Sequence, residues 1–464
     1  MVSVTLLEKN TSWTVCFLAV CFGIGSWVAT NSIWVELPIM VNCLPESWNL
    51  ASYITVIIQI ANLAPLTYSL LKHWKPNVVK EVPAIYVVLV TGTASCLLLA
   101  FFWRSIAIVG GEPHSIGLLI LGFTLAMTDC TSSVTYLPFM ATFREVYMPA
   151  YLVGEGLSGL LPGLVALGQG ARNGAGCFNQ NISVATVATT MHPTTGPSIT
   201  TAATQATPPQ NLTLCEQTLR SVSFTPETFW FILFGLTIAS ALAFIAMNYL
   251  PLAKKHYVIP NTYEKTEDNK IDGSELACNN KSGCRDEAAS DMEKKKDPLP
   301  FKVFMALLFM QAWVNGLSNG VIPSIQSYAT LPYGGTAFHL TVTLYSIANP
   351  LTSFAYFWLP CYNRVVIAIL TLLSTVCGIV IIVFAAMSPS PPLLGTSGGS
   401  ALTVIINVGF GVLVTYVKVA IIYLLRLQGR RALFWCGVSQ QVGSCIGALI
   451  MFPIVSIFRL FQSC

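Results

Sequence analysis

Runs of mostly apolar residues about 20 long, the length a helix needs to cross a bilayer, recur eleven times along the chain. Their approximate limits are 13–40, 50–71, 83–103, 115–138, 149–170 and 227–250, then 301–323, 337–359, 365–387, 400–425 and 432–458. The fifth and sixth runs are separated by a stretch, 171–226, rich in Thr, Pro, Ala and Asn. The sixth and seventh are separated by residues 251–300, which carry nine basic and ten acidic side chains and few apolar ones. The pattern predicts an all-α polytopic membrane protein of eleven transmembrane helices in two halves. Residues 1–250 supply six helices and an outer loop at 171–226, and residues 301–464 supply five. Residues 251–300 are too polar to bury a core and are expected to be a disordered cytoplasmic loop. The first run is too long for a signal-peptide core and continues through Trp34 to Pro38 without a small-residue cleavage site, so it is expected to remain as the first span. Composition agrees: the 464 residues are 54% hydrophobic and 9% charged, with a mean hydropathy of +0.66, against roughly 25% charged in soluble domains.

Orientation follows from Lys and Arg in the connections. Nineteen of them fall on the alternate connections that include the N-terminus and four on the others. The N-terminus is therefore expected in the cytoplasm and, with an odd number of spans, Cys464 outside. The sequons at Asn181 and Asn211 then lie in the outer loop and are candidate glycosylation sites. Those at Asn10 and Asn280 face the cytosol and are read as chance matches. No CxxC or Cys/His spacing points to a metal among the 14 cysteines. Cys177 and Cys215 share the outer loop, where a disulfide between them is a candidate.

The chain also repeats. Leu44-Pro45 is followed by Ile60-Ala61-Asn62 at the same spacing as Leu331-Pro332 by Ile347-Ala348-Asn349, and Val134-Thr135-Tyr136 in one fourth span matches Val414-Thr415-Tyr416 in the other. A parallel repeat around a long middle loop has the pattern of a major-facilitator-like carrier of six plus five helices, with its substrate near the midplane between the halves. An enzyme is not expected, because no nucleophile, base or metal cluster can be assembled. No phosphate-binding loop exists for an ATP-driven pump.

Polar groups inside the spans narrow the cargo. Charges are few: Glu36, Asp129, Glu155 and Lys418. Amides are many: Asn31, Gln59, Asn62, Asn315, Asn319, Gln326, Asn349, Gln440 and Gln441. One intramembrane cation serves a polyanion poorly, whereas amides both donate and accept and suit a neutral molecule with imide or hydroxyl groups. Their alternative use is hydrogen bonding between packed helices. Trp27, Asn31 and Trp34 fall on one helix face, Tyr136, Trp313, Tyr328 and Tyr416 lie in other repeat-related spans, and such a face could stack a flat ring. Trp34 also fits an interfacial aromatic belt. Glu36 lies about half a turn off that face, as a proton site or a structural pair. Glu155, in Gly154-Glu155-Gly156, reads as a gate partner for a cation or as a proton site. Asp129 is the only aspartate outside 251–300, and Ser132, Ser133 and Tyr136 share its face. A carboxylate in an apolar span is costly and marks function. The repeat places Lys418 in the corresponding span of the other half. Asp129 then reads as an inner-gate pair with Lys418, as a proton carrier, or as packing with the two serines.

These residues resemble those of solute carrier family 52, the vertebrate-type riboflavin transporters. The stretches that carry the resemblance are Gly23 to Pro38, Asp129 to Met140, Val153 to Pro162, Asn315 to Tyr328, Ala348 to Leu351 and Tyr416 to Val419, and the match covers nearly every span. The resemblance implies uptake of riboflavin across the plasma membrane by an eleven-span carrier. The patterns at Asp129 and Glu155 are most like the family's proton-coupled member, which implies protons as a second partner. Ser390 stands where the family pattern has a cysteine, putting an outer disulfide at that position in doubt. No cofactor and no nucleic acid are expected, and the oligomeric state is left open. Other readings are a carrier of another neutral heterocycle such as a nucleoside, or a cell-surface receptor, for instance for a virus.

Overall fold

The computed structural model describes residues 11–75, 80–170, 210–257, 299–356, 358–426, 428 and 430–463. Each of the eleven apolar runs contains helix, but the first is not one rod. Helices α1 (Trp13–Ile24) and α2 (Val28–Cys43) meet at a 50° bend. Gly25 and Ser26 lie in the bend, where glycine's weak helix propensity and a serine that bonds its own backbone favour a break. Ser26 Oγ donates to Gly23 O at 2.8 Å, and Trp27 leaves helical geometry at ψ 7°. The second run likewise turns at Asn62, between α3 (Leu50–Ala61) and α4 (Leu63–Trp74). Helix α5 (Glu81–Phe102) leads through a small hairpin, Ala107–Val109 with Glu112–His114, into α6 (Ile116–Met140). Helix α7 (Met148–Gln169), α8 (Gln210–Ser221) and α9 (Pro226–Tyr249) complete the first half.

In the second half α10 (Phe301–Gly316) continues as a π-helical stretch, Leu317–Val321, before α11 (Ile322–Thr330). Then follow α12 (Gly335–Ala355), α13 (Arg364–Ala386), α14 (Ser397–Arg426) and α15 (Arg430–Phe452). Among the described residues nine helical stretches are each long and apolar enough to cross a membrane, or ten with the bent pair. The expected eleven is not reached by this measure. The stretch that falls short is α12, where Thr341, Thr343, Ser346, Asn349 and Thr352 dilute its apolar character.

Each half has its own apolar core. In the first, Phe22 stacks on Tyr136 with ring centroids 4.3 Å apart and meets Phe244 at 5.3 Å. In the second, Phe410, Val414 and Val417 of α14 pack with Val314, Ile325 and Ile381. Bonds between the halves include Tyr328 Oη to Asn49 Oδ1 at 2.7 Å and Arg459 to Glu112 at 3.1 Å. Nearer mid-depth, Ser346 Oγ donates to Gly159 O at 3.0 Å.

The disulfide differs from expectation. Cys215 is bonded to Cys43 at the end of α2, whereas Cys177 lies outside the described residues. The reason is the docking of α8 on α2: Asn42 Nδ2 donates to Thr218 Oγ1 at 3.2 Å, which brings Cys215 over the neighbouring Cys43. Of the two sequon asparagines, Asn211 is the second residue of α8 and Asn181 lies outside the described residues. Most of the loop expected at 251–300, from residue 258 to 298, is outside them as well.

Candidate functional site: a cavity between the halves

A cavity of about 640 Å³ lies between the two halves, within the roughly 300–1,000 Å³ that holds a drug-sized ligand. Its first wall begins at the bend. Because Trp27 caps α2 and Asn31 and Trp34 follow at helical spacing, all three face the cavity. Asn31 Nδ2 reaches only Ser158 O, at 3.4 Å, a long contact that leaves the amide available to a ligand. Gln59 and Asn62 come from the end of α3, and Gln59 Nε2 reaches across to Asn319 O at 3.4 Å.

The facing wall is built on the π stretch, a departure from α geometry often found at functional sites. It presents Ser318 and Asn319, joined by Gln326 of α11, Tyr345 and Asn349 of α12, Lys418 of α14, and Gln441 and Ser444 of α15. The lining is therefore largely amide, hydroxyl and aromatic. Two charged side chains reach it. Lys418 Nζ donates to Ser318 Oγ at 2.6 Å and lies 3.5 Å from Asn319 Oδ1. Glu155 lines the opposite half, beside Gly156 and Ser158.

Eight of the expected polar and aromatic residues lie off the cavity, Trp313, Tyr328 and Gln440 among them. Asn315 is buried two residues before the π stretch, where it donates to Gln311 O at 2.7 Å and accepts from Asn319. Tyr136 belongs to the aromatic core around Phe22. Tyr416 turns outward and donates to Leu359 O at 2.7 Å. Glu36 is 0% exposed, with neither carboxylate oxygen hydrogen-bonded. Asp129 accepts from Thr30 N at 2.7 Å, so it forms no ion pair with Lys418. The physical reason is rotation: α6 turns Asp129 toward α2 of its own half, while α14 turns Lys418 into the cavity against the π stretch. Residues on corresponding spans of a repeat need not face the same way.

Sequence reasoning did not single out Ser318, Tyr345, Thr415 or Ser444, all of which line the cavity. Hydroxyls in spans usually bond their own helix, as Ser324 and Thr341 do here, so composition cannot tell which are free. Thr415 instead donates to Asn349 Oδ1 at 2.9 Å, across from α14 to α12. Tyr345 carried one available signal, its position one helical turn before Asn349.

Comparison with known proteins bears on this arrangement. A D-xylose–proton symporter of known structure matches 95% of this chain and 89% of its own with a TM-score of 0.51 at 10% identity. A variant of the nucleoside transporter NupG matches 95% and 92% with a TM-score of 0.50 at 9% identity. At such identities the likeness is one of fold, and the expected major-facilitator-like, all-α architecture is borne out. Member 3 of the solute carrier family 52 riboflavin transporters from Bos taurus is 41% identical over 460 residues, covering 96% of this chain and 97% of its own. Member 3-A from Danio rerio is 39% identical over 459 residues, covering 96% of both, and member 2 from Homo sapiens is 37% identical over 454 residues, covering 96% and 95%. The family described as solute carrier family 52, riboflavin transporter, matches residues 11–463, and the chain belongs to that family.

Proposed function

We propose that this protein takes up riboflavin across the plasma membrane by alternating access, with a proton as the coupled ion. In this reading eleven helices span the bilayer, the N-terminus is cytoplasmic and the C-terminus extracellular. The observation that carries it is the cavity between the halves, whose walls are amide, hydroxyl and aromatic rather than densely charged. Riboflavin matches such walls part by part. Its isoalloxazine is a flat ring for the indoles of Trp27 and Trp34. Its uracil-like edge has the donor and acceptors that Asn31, Gln59 or Asn62 can meet in pairs. Its ribityl hydroxyls are neutral and suit Ser318, Asn319, Gln441 and Ser444. Lys418 adds one cation, too little for a phosphorylated cargo once its bond to Ser318 is counted.

Cells expressing the full chain, given labelled riboflavin with flavin mononucleotide, lumiflavin or a nucleoside as competitors, test the reading. Saturable uptake blocked by lumiflavin and not by the nucleoside is expected. Inhibition by the nucleoside alone would replace riboflavin with a nucleoside as cargo. Faster uptake at an outer pH of about 5.5 than at about 7.4 is expected of proton coupling, and equal rates would remove that part.

A further inference from the structure

Behind the bend in the first span lies a second polar site, distinct from the cavity. Helix α6 holds the bend by two bonds: Asp129 Oδ2 accepts from Thr30 N at 2.7 Å, and Ser132 Oγ donates to Ser26 O at 2.9 Å. Thr30 belongs to the first turn of α2, where backbone N–H groups have no partner within the helix and the helix dipole favours an anion. Asp129 thus caps, from a different helix, the half-span that presents Trp27, Asn31 and Trp34 to the cavity. Beside the carboxylate is a small cleft of about 20 Å³, lined by Gly25, Ala29, Thr93, Thr128, Asp129 and Tyr136 among others. One water needs about 10–15 Å³ by this kind of measure. Two hydroxyls of the lining residues, Tyr136 Oη and Thr93 Oγ1, are buried without a hydrogen-bond partner, and Tyr136 is 0% exposed. Buried polar groups are seldom left in that condition unless water or an ion completes them.

The ionisable surroundings of Asp129 are sparse. Cys96 faces it from α5, and Cys130 and Tyr136 flank it on α6 itself. Helix α9 offers Thr237; of the titratable groups on α2 and α3, Glu36 lies six residues along α2 from Thr30 and Tyr53 sits beside His114, ahead of the start of α6. Tyr68, Lys72 and His73 of α4 lie toward its far end, where Lys72 pairs with Glu81 of α5. Among the described residues no cation is at hand to hold the carboxylate permanently charged.

We propose that this pocket is the proton site: one water bridges Asp129 to Tyr136 and Thr93, and a proton bound by Asp129 loosens its hold on α2. Ionised, the carboxylate makes a charge-assisted bond to Thr30 N–H, roughly twice as strong as a neutral one. With the proton on the carboxyl group and its O–H directed to the water, that bond weakens. Helix α2 is then freer to turn about Gly25 and Ser26, carrying Trp27 and Asn31 with it. No other bond is made or broken. Asp129 acts here as a positioning residue, and the inference rests on the proton-coupled reading above.

Uptake of labelled riboflavin by cells expressing the full chain, measured from about pH 5 to 8 at matched surface expression, tests it. The parent protein is expected to respond to pH several-fold, and Asp129→Asn less than two-fold while still transporting. A parent whose uptake is flat over this range removes the proton-coupled reading itself. A parent that responds while Asp129→Asn responds equally removes this inference and leaves that reading standing. Should Asp129→Asn not reach the surface, Tyr136→Phe decides. It removes the hydroxyl that supports the charged carboxylate through the water, so the midpoint of the pH response is expected to rise by half a unit or more. An unchanged midpoint overturns the inference.

Discussion

Replacing Gly154 by alanine tests the packing that sets the first wall of the cavity. Helices α1 and α7 cross at Gly23 and Gly154, where a methyl carbon added at 154 would lie 2.1 Å from Val20 O, 2.9 Å from Val20 C and 3.0 Å from Gly23 Cα. All three are backbone atoms, so none can rotate aside. A relaxed C···O contact is about 3.3–3.6 Å, which requires the helices to part by on the order of 1 Å. Overpacking of this kind costs about 1–3 kcal/mol, and alanine's better helix propensity returns up to about 1 kcal/mol. Gly168 on the same helix provides the control, because a methyl there meets nothing within 4 Å. Gly168→Ala should therefore keep the propensity gain without the clash. Thermal unfolding in detergent, followed by loss of the monodisperse peak, should place Gly154→Ala below the parent and Gly168→Ala at or above it. At about 2–4 °C per kcal/mol for a unit of 150–250 residues, the two variants should be separated by several degrees. Glu155 and Ser158 lie on α7 and line the cavity, so riboflavin uptake per surface copy should fall with Gly154→Ala as well. A Gly154→Ala protein that melts and transports with the parent would refute the reasoning that this crossing fixes the wall.

Asn31→Ala removes an amide whose contact within the protein is a single 3.4 Å approach to Ser158 O. Stability should barely change, while the loss of one ligand hydrogen bond, about 0.5–1.5 kcal/mol, should raise KM for riboflavin roughly two- to twelve-fold in uptake assays. Tyr416→Phe is expected to leave KM within about two-fold of the parent, because its hydroxyl bonds Leu359 O outside the cavity; a lost hydrogen bond of about 1 kcal/mol should show only in thermal unfolding. Cys43→Ser and Cys215→Ser should each cost about 2–5 kcal/mol, with the double variant no worse than either single one. Surface maturation and melting report this, and a loss confined to Cys177→Ser and Cys215→Ser would reassign the bond.

The helices were legible because spans of this length are a solvent requirement that apolar composition states openly. Helix faces were legible only where a polar stripe broke the apolar background. Trp27, Asn31 and Trp34 form such a stripe and do face the cavity. The stripe of Asp129, Ser132 and Tyr136 on α6 faces the bend and core of its own half instead, so Tyr136 and Tyr416 could be matched in depth through the repeat yet not in orientation. Asn62 and Asn349, matched in the same way, both reach the cavity. Interruptions of the helices were harder still to read. Gly25-Ser26 and Leu317–Val321 contain nothing that forbids a straight helix, and the irregularity is set by close neighbours: a methyl on Gly320 would lie 2.6 Å from Ala448 N. The Cys43–Cys215 pairing depended on how α8 docks on α2, which no local pattern records.

Asp129 shows why the cost of a buried charge is readable while its use is not. Sequence registers the expense of a carboxylate in an apolar run, and the repeat offered Lys418 as the nearest way to offset it. The bend in the first span offers another. Interrupting a helix frees backbone N–H groups at the start of its second segment, and inside a bilayer those groups need a partner as much as the carboxylate does. Each otherwise costly feature satisfies the other through the 2.7 Å bond from Thr30 N to Asp129 Oδ2. Lys418, released from that pairing, is free to line the cavity with Ser318. Two polar sites thus stand where an inner-gate pair was one of the expected readings. The first half holds its bend with the carboxyl group of Asp129, the second half turns Lys418 into the cavity, and α2 carries both Thr30 of the bend and Asn31 of the cavity wall.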